Sequence, residues 1–278
     1  MDHLSLVFFT LLAQAAAGLM LMTGMTQLVL PAPMRNHPAV GWGYIAALFV
    51  FILGMLASTS HLGHPLRAFN VVYGLEHMSA LSLEIVAASA FGGALFIVAV
   101  LWLFGNGLLL LKAFVLLAMV LAVVLVQAIA HVYTLQAVAV WNTWLTPLQF
   151  FQSALALGSI LAAQLFLTSR KPEPAFVNRA RRVVGWTGLV VIVMLVVKTV
   201  FTFQHLDALG LISSVTDSHL IGLYRAIALS LTGMLFWIVP ALYSRDSRIC
   251  IFVGLVLIVA GELMGRIYFY DLLNYRVM

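Results

Sequence analysis

Eight long apolar segments separated by short polar stretches dominate the pattern of hydrophobic and polar positions along the chain. Each is close to the ~20 residues that a helix needs to cross a bilayer. None keeps the apolar–polar alternation of a membrane β-strand. We predict an all-α fold, a single integral-membrane domain over residues 1–278, built as a bundle of eight transmembrane helices at residues 5–30, 42–60, 82–104, 108–130, 149–168, 183–204, 220–243 and 249–270.

Composition also indicates a multi-pass membrane protein. Hydrophobic residues make up 64% of the sequence and charged residues 8%, whereas soluble domains carry roughly 25% charged residues. Because Cys250 is the single cysteine, the protein has neither a disulfide framework nor a cysteine-ligated iron–sulfur cluster of its own. The pI of 9.6 reflects Lys and Arg confined to connections, not a nucleic-acid-binding face. The first apolar segment lacks a basic leader and a clear cleavage site, so we expect a retained span.

Basic residues are unevenly divided between the two sets of alternate connections. One set, which includes both termini, contains only Arg67 and Arg276. The other set contains nine: Arg35, Lys112, Arg170, Lys171, Arg179, Arg181, Arg182, Arg245 and Arg248. Since the excess of Lys and Arg marks the cytoplasmic side, we predict that both termini are periplasmic. The polar segment HLGHPLRAFN, residues 61–70, is then also periplasmic.

Besides Lys112, counted above with the connections, five ionisable residues lie inside the predicted spans, all in the predicted outer half of the bilayer: Glu84, Lys198, Arg225, Glu262 and Arg266. Such residues are costly in lipid and usually face the bundle interior, where many carry function. Glu84 has no cation three or four residues away, so we expect a functional role with partners from other elements.

The other charged and interfacial residues have simpler interpretations. Glu262 and Arg266 are four residues apart, and we expect an ion pair that packs helices. Lys198 is expected to extend to the outer interface. For Arg225, packing and a site role remain equally open. Four further residues are expected at the membrane surface, the tryptophans as an aromatic belt or an amphipathic surface segment: His131, His205, Trp141 and Trp144.

Several blocks share their order and spacing with a known family. They are HLGHPLRAFN, ALSLEI, VYTLQAVAVWNTWLTPLQFF, LYRAIALSLTGMLFWIVP and AGELMGRIYFY. In these the protein resembles the membrane anchor subunit of bacterial dimethyl sulfoxide reductase. The resemblance implies an eight-helix anchor in the bacterial inner membrane, within a heterotrimer that also holds a molybdopterin catalytic subunit and an iron–sulfur subunit. It further implies that this subunit oxidises menaquinol in anaerobic respiration and carries no haem.

The same resemblance implies which residues form the quinol site. The histidine, loop arginine and glutamate of the family correspond to His61, Arg67 and Glu84, whereas His64 stands where the family more often has a small residue. We expect Glu84 to accept one quinol proton, His61 to bind the other oxygen and Arg67 to orient Glu84 or the ring oxygens. His64, Arg225, Glu262 and Arg266 are candidate supporting charges, and no metal site is expected.

Three other functions remain open from the sequence. A haem b anchor would need histidine pairs at matched depths, but the candidates all lie at the outer side: His61, His131, His205 and His219. A secondary transporter would use the buried charges as a relay, yet they stop halfway across and no inverted repeat is evident. A purely structural anchor would have no quinol site. The terminal electron acceptor is a property of the catalytic subunit.

Overall fold

The computed structural model describes residues 4–59, 79–105, 107–134, 136, 138–168, 173–211, 217–242 and 247–272. In these ranges it contains eight long helices and one 3-10 turn, Ala32–Met34. The helices are α1 (Leu4–Val29), α2 (Pro38–Thr59), α3 (Ala80–Phe104), α4 (Leu108–Tyr133), α5 (Leu145–Leu167), α6 (Pro174–Ala208), α7 (Asp217–Leu242) and α8 (Arg248–Asp271). All eight are long and apolar enough to cross a membrane, which confirms the predicted all-helical architecture.

Local sequence explains where several of these helices begin and end. Ser79 and Ser247 cap α3 and α8, because their hydroxyl oxygens accept from the backbone N–H groups of Ser82 and Cys250 at 3.1 and 3.3 Å. Helix α6 ends at Ala208 and is followed by Gly210, which has a φ of 67°. There the N–H groups of residues 210 and 211 donate to the carbonyls of residues 207 and 206, a glycine-dependent helix stop.

Helix α6 is longer than the predicted span 183–204. It begins at Pro174, so residues 174–182, expected to be part of a connection, are helical. The physical reason is that proline suits the first turn of a helix and no glycine or second proline follows before residue 185. At ~1.5 Å per residue, the 35 residues of α6 exceed the ~30 Å hydrocarbon thickness.

Helices α1 and α5 form the centre of the bundle. Within their most apolar windows, 67% of α1 and 72% of α5 is buried, against 28–39% for the other six helices. Gly18 and Gly158 allow the two central helices to approach closely. A Cβ at Gly18 would overlap the backbone of Ala154, and one at Gly158 would overlap the backbone of Gly18. Small residues at such crossings are typical of packing between membrane helices.

Helices that are consecutive in the chain run antiparallel, so the connections divide between the two ends of the bundle. At one end α1, α3, α5 and α7 begin and α2, α4, α6 and α8 finish; we call it the Glu84 end. There, Gln14 of α1 accepts a hydrogen bond from Arg266 of α8. At the opposite end, called the arginine end, Arg179 of α6 donates to the backbone carbonyl of Val29 at 2.8 Å.

Candidate functional site

Of the predicted site residues, the structure describes Glu84, Arg225, Glu262 and Arg266. His61, His64 and Arg67 lie outside the described residues. Glu84 lies in the second turn of α3 and is 6% exposed. Arg225 is exposed on α7, so the structure does not bring it into the buried polar groups around Glu84 and the end of α8.

Glu84 is a buried carboxylate without a partner in the described structure. No hydrogen bond or ion pair joins it to any residue within the described ranges. Tyr133 and Tyr270, in the last turns of α4 and α8, lie at the same end of the bundle as Glu84. A buried carboxylate is costly unless a charge or hydrogen-bond donor compensates it. Glu84 therefore has the environment of a group that meets a ligand or a residue beyond the described ranges.

An aromatic cluster closes the Glu84 end around the two tyrosines. The hydroxyl of Tyr270 donates to that of Tyr133 at 2.6 Å. Trp141 stacks on Phe269 with 5.0 Å between ring centroids, and its indole Nε1 donates to the carbonyl of Phe269 at 3.0 Å. Trp141 is 6% exposed. Its expected place in a surface belt is therefore wrong, whereas Trp144 is 54% exposed, as a belt residue would be.

Glu262 accepts three hydrogen bonds from neighbouring helices. Its Oε1 accepts from Nε2 of Gln152 at 3.0 Å and from the hydroxyl of Ser230 at 3.2 Å. Its Oε2 accepts from the hydroxyl of Ser153 at 2.6 Å. These donors belong to α5 and α7, so the carboxylate links three helices. Its environment differs from that of Glu84, whose oxygens have no such donors within the described ranges.

The expected ion pair between Glu262 and Arg266 does not form as a direct contact. Instead, Ser153 bridges them, since its hydroxyl donates to Glu262 and accepts from Nη2 of Arg266 at 3.4 Å. Nη2 also donates to Oε1 of Gln14 at 2.7 Å, and the guanidinium lies 3.9 Å from the ring centroid of Phe150. The polar and aromatic partners offered by α1 and α5 explain why Arg266 turns away from the carboxylate on its own helix.

Lys198 points into the bundle and does not extend to the outer interface as expected. Its Nζ donates to Oε1 of Gln152 at 2.6 Å, and the same amide donates to Glu262. The Gln152 side chain is therefore hydrogen-bonded to both Lys198 and Glu262. The reason for the difference is that a hydrogen-bond acceptor lies within reach inside the bundle, which compensates the ammonium group locally.

A cavity of about 60 Å³ lies beside this network, between α5, α6, α7 and α8. Its polar lining includes Lys198, Thr199, Thr202, Ser230 and Glu262. A water molecule needs ~10–15 Å³ of such space and several polar partners, so the cavity suits a few waters. The network of Glu262, Arg266 and Lys198 is therefore a polar interior with room for water inside an otherwise apolar bundle.

The sequence analysis missed several polar residues that complete these contacts: Gln14, Tyr133, Gln152, Ser153, Ser230 and Tyr270. The available signal was a glutamine or serine inside an apolar span, because an uncharged polar side chain in lipid also needs a partner.

Two of the histidines considered as haem ligands have polar neighbours in the structure. Nδ1 of His131 lies 3.3 Å from the hydroxyl of Thr134, and Nε2 of His205 lies 3.3 Å from the carbonyl of Ala139. Over the residues that the structure describes, no three His, Cys, Asp or Glu side chains are grouped to hold a metal ion.

Comparisons with known proteins agree on one family. The family model described as "DMSO reductase anchor subunit (DmsC)" matches residues 1–272. The protein is 30% identical to the anaerobic dimethyl sulfoxide reductase chain YnfH of Escherichia coli K12 over 275 residues, covering 96% of this protein and 93% of that one. It is also 30% identical to the anaerobic dimethyl sulfoxide reductase C chain of the same organism over 236 residues, covering 79% and 77%. The corresponding C chain of Haemophilus influenzae is 23% identical over 278 residues, covering 97% and 94%.

Proposed function

Because this protein belongs to the DMSO reductase anchor subunit family, and is therefore a multi-pass membrane anchor of such a complex, we propose that it also oxidises menaquinol. The partners proposed are an iron–sulfur subunit, which accepts the electrons, and a molybdopterin subunit, which reduces the terminal acceptor. The proposed location is the bacterial inner membrane with the Glu84 end on the periplasmic side. The lysine and arginine distribution supports that orientation, because eleven of the fourteen lie in connections, at the ends of spans or in termini, and nine of these belong to one set.

The proposal rests on one observation: the Glu84 carboxylate is buried and has no partner among the described residues. It is 6% exposed and has no hydrogen bond or ion pair within the described ranges, whereas Glu262 accepts three hydrogen bonds. Of these two buried carboxylates, Glu84 is the one whose acceptor capacity no described residue uses. A general base must have such capacity within hydrogen-bond reach of the proton that it removes.

In the proposed reaction, menaquinol loses two electrons and two protons and becomes menaquinone. Glu84 accepts one hydroxyl proton, and His61 binds the other oxygen and can accept its proton, because an imidazole titrates near neutrality. Arg67 orients Glu84 or the ring oxygens through charge-assisted hydrogen bonds. The family resemblance implies which residues form the site, and the role of each is part of this proposal. The electrons pass to the iron–sulfur partner, and the protons leave at the Glu84 end. His61 and Arg67 lie outside the described residues, so their part rests on the sequence.

The test uses membranes that contain the assembled complex with Glu84→Gln. We expect quinol-analogue oxidation to fall at least 100-fold, within the range of ~10²–10⁴ that a general base contributes. Reduction of the terminal acceptor by an artificial donor that bypasses the quinol should be unchanged. Glu173→Gln, at a side chain that is 48% exposed at the arginine end, is the matched control and should retain both activities. If the assembled complex with Glu84→Gln oxidises quinol normally, the proposed role of Glu84 is excluded. A purely structural anchor is then the remaining function.

A further inference from the structure

A groove of about 520 Å³ opens between α1 and α6 at the arginine end. Its apolar lining comes mainly from Met25, Leu28, Val29 and Val183, and two arginines, Arg179 and Arg182, join Trp186 and Thr187 along its α6 side. None of these eight lining residues is acidic. The groove therefore combines positive charge with an apolar floor, and it lies at the opposite end of the bundle from Glu84.

The two arginines occupy one face of α6, three residues apart, and differ in their contacts. The guanidinium of Arg179 donates through Nη1 to the carbonyl of Val29 at 2.8 Å, one of the carbonyls left without a partner at the end of a helix. That bond holds Arg179 at the mouth of the groove with its other N–H groups available. Arg182 is exposed and has no hydrogen bond or ion pair to any residue within the described ranges.

The same helix face changes from charged to apolar along its length. Trp186, which is 68% exposed, follows Arg182 by one turn, and the exposed Val190 and Val193 come next. At ~1.5 Å per residue, Trp186 lies about 10 Å from Arg179 along the axis. Tryptophan is typical of the boundary between headgroups and acyl chains. The order of arginine, tryptophan and valine follows the order of phosphate, glycerol and acyl chain in a phospholipid.

We propose that this groove is a binding site for an anionic phospholipid. Arg179 and Arg182 would bind its phosphate by charge-assisted hydrogen bonds, for which the guanidinium fork is well suited. Trp186 would pack against the glycerol region, and the acyl chains would lie along Val190 and Val193. The charge of the groove selects an anionic lipid over a zwitterionic one, because a choline or ethanolamine group would meet two arginines and no acid. Basic pockets between membrane helices bind such headgroups in general.

The experiment measures quenching of Trp186 fluorescence by brominated lipids in vesicles that contain the intact complex. The contribution of Trp186 is the difference between the native protein and Trp186→Phe. Competition between brominated phosphatidylglycerol and brominated phosphatidylcholine gives their relative affinity. We expect phosphatidylglycerol to be preferred roughly tenfold at low salt, since each surface arginine favours an anionic lipid by several-fold. The preference should shrink in roughly 0.5 M NaCl as the charges are screened.

Variants separate this site from general surface charge. The double variant with Arg179→Gln and Arg182→Gln should bind phosphatidylglycerol and phosphatidylcholine with nearly equal affinity. Lys112→Gln with Arg248→Gln, which removes two charges from the start of α4 and α8 but none from the groove, should retain it. Arg182→Gln alone removes no contact of the described structure, so it should fold normally and lose part of the preference. Three results would overturn the proposal. The two lipids could quench Trp186 equally in the native protein, or neither could quench it. The preference for phosphatidylglycerol could also persist when both arginines are replaced.

Discussion

The hydroxyl group of Tyr270 donates a 2.6 Å hydrogen bond to that of Tyr133. This contact joins the last turn of α4 to the last turn of α8 at the Glu84 end of the bundle. The Tyr133 ring also packs edge-on against Trp141 and Phe269, so the hydrogen bond lies within the aromatic cluster at that end.

Tyr133→Phe should destabilise the protein by about 0.5–1.5 kcal/mol, the net contribution of one hydrogen bond, because it removes the acceptor of the Tyr270 hydroxyl. When Tyr270→Phe is added, the second change should cost less than it does alone, since the hydrogen bond between the two hydroxyl groups is already absent. A double-mutant cycle from unfolding of the solubilised complex measures this coupling. Simple additivity of the two changes would contradict the importance of the pair.

Ser153→Ala should be among the more damaging serine substitutions in the protein. The Ser153 hydroxyl connects Glu262 to Arg266, and its removal deprives a buried carboxylate oxygen of its donor, at a cost of about 1–3 kcal/mol in unfolding free energy. Ser159→Ala is the control on the same helix, because that buried hydroxyl donates to the sulfur of Met22 at 3.4 Å, a weak acceptor. Thermal unfolding of the two variants should differ clearly, and equal midpoints would count against the bridge.

Glu84→Gln and Glu262→Gln should have opposite effects on activity and stability. Glu262→Gln removes the negative charge that faces the buried Lys198 and Arg266, so we expect a loss of about 3 kcal/mol in stability with quinol oxidation per assembled complex retained. Glu84→Gln removes no contact within the described ranges, so it should cost under about 1 kcal/mol and abolish quinol oxidation. Thermal unfolding and turnover of both variants test the assignment. It fails if Glu262→Gln loses turnover while remaining assembled.

Gly158→Ala should disrupt the centre of the bundle, because the added methyl group would overlap the backbone of Gly18 and force α1 and α5 apart. Overpacking of this kind costs about 1–3 kcal/mol or more. Gly93→Ala is the matched control inside α3, where a Cβ meets nothing within 4 Å. There the higher helix propensity of alanine should leave the unfolding temperature unchanged or slightly raised. Similar destabilisation by both substitutions would exclude close packing as the cause.

Much of the architecture could be predicted because one physical constraint, the pairing of backbone polar groups in lipid, dominates it. In lipid every backbone polar group must find its partner within the protein, so long apolar segments become helices. That constraint explains why all eight predicted spans coincide with helices, and the likeness to the anchor family was evident in blocks such as AGELMGRIYFY. It did not determine the length of α6, whose first turns carry arginines that a hydropathy pattern assigns to a connection.

The sequence by itself determined that ionisable residues lie inside the spans and that Glu84 has no partner on its own helix. Only the tertiary structure decided which partners the other residues find. Arg266 contacts Gln14, Ser153 and Phe150 in preference to Glu262, and Lys198 turns inward to Gln152. The reason is that a side chain in a bundle selects among acceptors on several helices, and the sequence spacing along one helix specifies only the nearest of them.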